Sequence, residues 1–128
     1  MPKEIIQTNL APAPIGPYNQ AVKANGFIFI SGQIALDPVT GETVTTSIEE
    51  ETHVVMKNIA AILAAAKISF SHIVKTTILL SDMSLFAKVN EVYGSYFTEM
   101  PPARETFAVK GLPRGVNVEI STTAVVDL

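Results

Sequence analysis

Residues 47–97, SIEEETHVVMKNIAAILAAAKISFSHIVKTTILLSDMSLFAKVNEVYGSYF, decide the fold. Ser47 is placed to start a helix, with Glu50 three positions on to complete a capping box. Val55, Met56, Ile59, Ile62, Leu63 and Ala66 then recur at helical spacing and make one apolar face. The run IVKTTILL, residues 73–80, is β-branched and nearly continuous, as a strand buried on more than one side requires. Asp82 or Ser84 can cap a second helix, whose stripe is Leu85, Phe86, Val89, Val92, Tyr93, Tyr96 and Phe97, and which Pro101 and Pro102 stop. Each helix is apolar on one stripe only, so each is expected to pack against a single sheet.

Upstream of this stretch, KEIIQ reads as a short strand, and APAPIGP, residues 11–17, as an extended loop that its three prolines and glycine keep irregular. The run QAVKANGFIFISGQI sets Asn25-Gly26 between two alternating segments, the strongest short signal for a hairpin with a left-handed turn. DPVTGE, residues 37–42, reads as a turn. Downstream, RETFAVKGL and VNVEISTTAVV flank Pro113-Arg114-Gly115 and read as a closing hairpin. The expectation is one domain over residues 1–128: an α+β two-layer sandwich with two helices on one face of the sheet.

In that closing hairpin, positions summing to about 227 would pair. Phe107 and Val109 would join Val118, Ile120 and Ala124 in the core, while Arg104 and Thr106 would share the opposite face with Glu119, Ser121 and Thr123. Arg104 and Glu119 would then stand on the order of 13 Å apart on one open face, too far for an ion pair. A small ligand, a water or a residue of another chain could fill the gap; a polar outer face with two unrelated charges fits the same pattern. Arg104 itself follows a rigid Pro-Pro connection, which fixes its direction and suits a two-pronged grip on a carboxylate, though a surface ion pair is the plainer reading.

Composition narrows the function classes. Apolar residues make up 48% of the 128 and charged ones 16%, so the chain can bury a core yet is sparing of surface charge, which suggests that another subunit covers part of it. The net charge of −3, with scattered lysines and arginines, offers no footprint for nucleic acid. Without cysteine there is no disulfide, thiol nucleophile or zinc knuckle, and His53 and His72 lie on different elements without a carboxylate at ligand spacing, so no metal site is expected. No signal peptide or membrane span is read, and a cytoplasmic location is expected.

The segments IGPY (15–18), SGQI (31–34), VKTTILLSD (74–82), VNEVY (89–93), PAR (102–104) and VEI (118–120), in this order, resemble the RidA-type reactive intermediate (enamine/imine) deaminase family from about residue 5 to residue 126. The resemblance implies a chorismate-mutase-like α+β fold with a mixed sheet, and a homotrimer with its sites between subunits. The implied reaction is hydrolysis of 2-imino acids and their enamine tautomers, such as 2-iminobutanoate and 2-iminopropanoate, to 2-keto acids and ammonia, without metal or cofactor. It assigns Arg104 to the substrate carboxylate and Glu119 to the attacking water, and places Tyr18, Ser31 and Gly32 beside the substrate. Asn90 matches a family asparagine on the second helix, with a structural contact as an equal alternative, and the backbone carbonyl near Thr106 is suited to an iminium N–H. Glu105 and Thr106 depart from the family's small residue and cysteine, the connection before PAR is about three residues shorter than usual, and Lys67 stands where a helix-ending glycine is common. A trimeric binding or regulatory module for 2-keto acids or related carboxylates is the competing expectation, and Glu119 is the feature that favours catalysis over it.

Overall fold

The computed structural model describes residues 2–128. Six strands, β1 (Glu4–Ile6), β2 (Ala21–Ala24), β3 (Phe27–Gln33), β4 (Ile73–Leu80), β5 (Ala103–Ala108) and β6 (Val118–Val125), form one mixed sheet in the order β1-β2-β3-β6-β4-β5. Helices α1 (Ile48–Ala65) and α2 (Phe86–Gly94) cover one face of it. This is the expected α+β arrangement of two layers.

Local chemistry accounts for most boundaries. Asn25 and Gly26 take φ values of +50° and +80° to turn β2 into β3. Ser47 accepts the Glu50 N–H at 3.1 Å at the start of α1. The expected capping box forms only by half, since the Glu50 carboxylate accepts from Thr46 Oγ1 instead. Lys67 adopts φ +62° and closes α1 as glycine commonly does: its N–H donates to the Ala64 carbonyl and that of Ile68 to the Leu63 carbonyl, a Schellman arrangement. A single 3₁₀ turn at Met83–Leu85, capped by the Asp82 carboxylate accepting the Ser84 N–H at 2.8 Å, leads into α2. The helix stops at Gly94, earlier than the stripe suggests, yet Tyr96 and Phe97 still pack on the core.

Val55, Met56, Ile59, Ile62 and Leu63 of α1 are buried against Ile28 and Ile30 of β3, Ile78 and Leu80 of β4 and Val118, Ile120 and Ala124 of β6. At about 1.5–3 kcal/mol for each large apolar side chain removed from water, this layer is the main stabilising term.

The closing hairpin does not form. β5 runs parallel to β4, with Thr76 opposite Arg104 and Ile78 opposite Thr106, and α2 is the crossover between them. β6 lies between β3 and β4, antiparallel to both. Residues 109–117 carry the chain from the sheet edge back over β4. Along the way Val109 N–H donates to the Leu80 carbonyl, Ser81 N–H donates to the Asn117 carbonyl, and Arg114 and Gly115 turn at φ +57° and +66°. Glu51, fully buried on α1, accepts from Asn117 N–H (2.7 Å), Asn117 Nδ2 (2.8 Å) and Val118 N–H (3.2 Å), and so fixes where β6 begins.

Two further expectations change with this pairing. Phe107 is 48% exposed and lies on the open face rather than in the core, and Val109 falls beyond the strand end and is only half-buried. Arg104 and Glu119 do not share a face. Residues paired across a ladder point to the same side of a sheet, and Arg104 pairs with buried Thr76 whereas Glu119 pairs with Leu79 on the uncovered side.

Candidate active site

The residues singled out from the sequence fall into two groups. Asn90, Arg104 and Thr106 sit where α2 meets the edge strand β5. The Asn90 amide oxygen accepts from Arg104 Nη1 at 2.6 Å, and the guanidinium carbon stands 5.3 Å from the Tyr93 ring centre and 5.6 Å from that of Phe86. Tyr93 is itself fixed, because its hydroxyl donates to Thr76 Oγ1 at 2.9 Å, and burial pushes its phenol above the usual range. No carboxylate of the described residues lies within 4.0 Å of the guanidinium, so the charge is oriented by an amide and two rings and left unpaired. Thr106, two residues on and on the same face, has a buried hydroxyl without a hydrogen-bond partner. Glu105 points the other way. It accepts from Thr77 Oγ1 at 2.7 Å and pairs with Lys75 at 3.4 Å, and these two contacts hold its carboxyl below the usual range.

Tyr18, Ser31, Gly32 and Glu119 line a cleft of about 590 Å³. A register shift between Ile30 and Gln33 lifts Ser31-Gly32 out of the ladder with β6. The Glu119 side chain lies over Gly32 so closely that a Cβ there would overlap the carboxylate and meet Cδ at 2.9 Å and Cγ at 3.1 Å. Glycine at position 32 is therefore what admits Glu119. Burial pushes the Glu119 carboxyl above the ordinary glutamate range, with no ion pair to oppose it among the described residues. Tyr18 is half exposed at the mouth and its hydroxyl accepts the Ile15 N–H at 3.3 Å. The Ser31 hydroxyl donates to the Asn19 carbonyl at 2.6 Å, so it ties the Tyr18 loop to β3.

Two residues that organise these groups were not singled out in the sequence. Gln20 is buried; its Oε1 accepts the Thr8 N–H at 2.7 Å and its Nε2 donates to the carbonyls of Thr8, Ala11 and Pro12. It holds the proline-rich loop in place. Glu51 sets the start of β6 at Val118, one residue before Glu119, and one helical turn before Val55 it falls on the apolar face, a signal the spacing already carries. The histidines play local roles: His53 Nδ1 bonds the Tyr96 hydroxyl at 2.8 Å, and His72 Nδ1 accepts the Ser69 N–H at 3.2 Å. Among the described residues no three His, Asp or Glu side chains are grouped to hold a metal, and no helix is long and apolar enough to cross a membrane.

Within one chain the two groups cannot meet on one small molecule. β6 and β5 are separated by β4, and Glu119 aligns with Leu79 while Arg104 aligns with Thr76. Two strand spacings and three residues of rise put their backbones about 14 Å apart, with the side chains on opposite faces. One group offers an unpaired, oriented cation; the other offers a half-buried carboxylate, beside a cleft, with no cation within 4.0 Å among the described residues.

The model of the family described as Endoribonuclease L-PSP matches residues 8–126. The chain is 52% identical over 122 residues to a RutC family protein of Pyrococcus horikoshii, covering 95% of this chain and 97% of that one. It is 48% identical over 123 residues to the 2-iminobutanoate/2-iminopropanoate deaminase of Mus musculus, covering 96% and 91%. Among solved structures, Escherichia coli TdcF with bound serine superposes with a TM-score of 0.91 at 38% identity, covering 95% of this chain and 98% of that one. The superposition, the matched span and these identities agree: the chain belongs to the RidA family, whose model carries the Endoribonuclease L-PSP description.

Proposed function

We propose that the protein hydrolyses 2-imino acids, and the enamines in equilibrium with them, to 2-keto acids and ammonia at sites formed between copies of the chain. The observation that carries this reading is the separation of two complementary groups onto opposite faces of one sheet. A guanidinium without a carboxylate and a carboxylate without a cation are both costly to leave half-buried. A second copy that brings its β5 edge to the Tyr18–Glu119 cleft completes both. The uncovered sheet face supports assembly, since Phe27, Phe29 and Phe107 are 43%, 50% and 48% exposed on it. Three copies are the assembly the family resemblance implies.

The chemistry needs few parts because a protonated imine is already an electrophile. Arg104 of one copy grips the substrate carboxylate through two parallel hydrogen bonds, its direction set by Asn90 and the Tyr93 ring. Glu119 of the neighbouring copy orients a water and accepts its proton as oxygen adds to the imine carbon. The Thr106 carbonyl accepts the iminium N–H. Transfer of a proton to nitrogen then expels ammonia and leaves the 2-keto acid, so that one water is consumed and no covalent enzyme intermediate is needed. Tyr18 closes the mouth, and a net charge of −3 weighs against a phosphate backbone as the ligand.

The test is complementation. Arg104→Ala and Glu119→Gln proteins are each expected to be inactive in an assay that generates 2-iminobutanoate with a threonine dehydratase and times keto-acid appearance. After mixing and reassembly, about one site in four should combine an intact Arg104 with an intact Glu119 and recover activity in proportion. Light scattering on the same samples reports the stoichiometry, for which a trimer is expected. Recovery would establish a shared site. No recovery in a reassembled oligomer would show that Arg104 and Glu119 of two copies do not form one site and would sink the proposal, and a wild type that binds 2-ketobutyrate but accelerates no imine would favour the binding module.

A further inference from the structure

Arg114 lines the same cleft as Tyr18 and Glu119, yet neither the fold nor the reaction described above uses its charge. It sits on the 3₁₀ turn Pro113–Gly115 in a left-handed conformation, φ +57°, that side chains rarely adopt, and Gly115 follows at +66°. From there its Nη1 donates to the Gly41 carbonyl at 2.9 Å, across to the turn formed by residues 37–42. Asp37 and Glu42 belong to that turn, but no carboxylate of the described residues lies within 4.0 Å of the guanidinium. The Asp37 carboxylate is instead occupied by the N–H groups of Val39 and Thr40, at 2.8 and 3.0 Å. A guanidinium has five N–H donors in a rigid fork, and a single carbonyl bond anchors the fork while leaving donors for an anion.

Arg114 is exposed, so the donors that the Gly41 carbonyl leaves free are accessible from the cleft. The lining of the cleft includes the apolar side chains of Ile15, Ile34, Leu36 and Pro113, which are suited to the carbon chain of a substrate. A cleft with apolar lining, the Glu119 carboxylate in it and an anchored guanidinium on its wall matches a chain that carries a second anionic group.

Resting on the proposed imine hydrolysis, we infer that Arg114 recognises the far end of the substrate, so that the cleft favours 2-imino acids whose side chains end in a second carboxylate. In this arrangement Arg104 holds the carboxylate next to the imine carbon and Arg114 holds the distal one. Arg114 is a specificity-determining residue and takes no part in the addition of water. A merely structural tie between the 113–115 and 37–42 turns would act on all substrates alike.

The experiment compares 2-iminoglutarate, generated from D-glutamate by D-aspartate oxidase, with 2-iminobutanoate, generated from D-2-aminobutyrate by D-amino acid oxidase. Wild type, Arg114→Gln and Arg114→Lys are assayed by the loss of imine available for trapping with semicarbazide. Arg114→Gln keeps a donor for the Gly41 carbonyl and removes the charge, and Arg114→Lys keeps the charge without the fork. The ratio of kcat/KM for the diacid over the monoacid is expected to fall about tenfold or more in Arg114→Gln, mostly through KM, and less in Arg114→Lys. Calorimetric affinity for 2-ketoglutarate against 2-ketobutyrate should change in the same direction. Unchanged ratios in both measurements, in a folded Arg114→Gln protein, overturn the inference while leaving imine hydrolysis intact. A wild type that hydrolyses neither imine overturns the parent reading, and the calorimetric ratio then decides by itself whether Arg114 selects diacids.

Discussion

Replacing Gly32 with alanine should separate activity from stability. The added methyl would occupy space now held by the Glu119 side chain, overlapping its carboxylate and standing 2.9 Å from Cδ and 3.1 Å from Cγ. Carbon atoms settle at about 3.5–4.0 Å, so Cδ must retreat by roughly 0.6 Å or more, and the carboxylate beyond it on the order of 1 Å. The backbone does not resist the change, because φ at Gly32 lies outside the left-handed region, and the displaced atoms belong to a flexible side chain. Loss of glycine's freedom in the unfolded chain even offsets part of the strain, by about 0.4–1 kcal/mol. Stability should therefore stay within about 1 kcal/mol of wild type, while turnover falls about 10²-fold, the usual cost of moving a reacting group by 1 Å. Thermal or denaturant unfolding gives the first quantity and the coupled 2-iminobutanoate assay the second. A Gly32→Ala protein with normal turnover would show that the packing of Glu119 over this glycine does not position the carboxylate, and the catalytic reasoning would fail with it.

Arg104→Lys should keep the fold and lose roughly 10²-fold or more in turnover, because an ammonium cannot reproduce the two-pronged grip that Asn90 and Tyr93 orient; near-normal activity in a folded variant would make the arginine structural. Glu51→Ala should destabilise by about 3–5 kcal/mol in denaturant unfolding, since Asn117 N–H, Asn117 Nδ2 and Val118 N–H all lose their acceptor in the interior, and a loss below 1 kcal/mol would mean that water replaces the carboxylate. The acid limb of kcat/KM should lie above the ordinary glutamate range, because burial raises the Glu119 carboxyl, and Glu119→Gln should abolish that limb together with most turnover. The same shift has a sign for stability: with the folded pKa above the unfolded one, the Glu119 contribution is most favourable below pH 4.5 and declines as pH rises through the folded pKa, so Glu119→Gln should flatten that decline in unfolding measurements.

The helices and the hydrophobic pattern were legible because each is set by nearby residues. Ser47 caps α1 as its side chain dictates, whereas Asp82 caps the 3₁₀ turn ahead of α2 and α2 itself starts at Phe86 without a side-chain cap; Asn25-Gly26 turns as its conformational freedom allows, and the alternation of Val118, Ile120 and Ala124 identifies the core face of β6 correctly. The pairing of β5 was not. Alternation states which residues of a strand point the same way and is silent about the neighbouring strand. Pro113-Arg114-Gly115 invites a hairpin, whereas residues 73–108 are a strand, a helix and a strand, the pattern that makes parallel neighbours through a crossover. The burial demand of β6 decides between them. With Val118, Ile120, Thr122 and Ala124 all buried, β6 needs a partner on both sides, and β3 and β4 supply them.

That one change of neighbour reorganises the candidate site without changing its members. In a hairpin with β6, Arg104 would have faced away from the helices on the same open face as Glu119, and a single chain would have held both charges on that face. Next to β4 instead, the same alternation turns Arg104 towards α2, where Asn90, Phe86 and Tyr93 receive it. A guanidinium on the covered face of a central strand would be sealed in, at a cost of several kcal/mol without a partner. At the edge nothing lies beyond β5, so the charge stays partly exposed and can reach a molecule outside its own chain. The sheet order thus makes Arg104 a residue offered outward and Glu119 a residue held over a cleft, which is the arrangement that the proposed site between two copies of the chain requires.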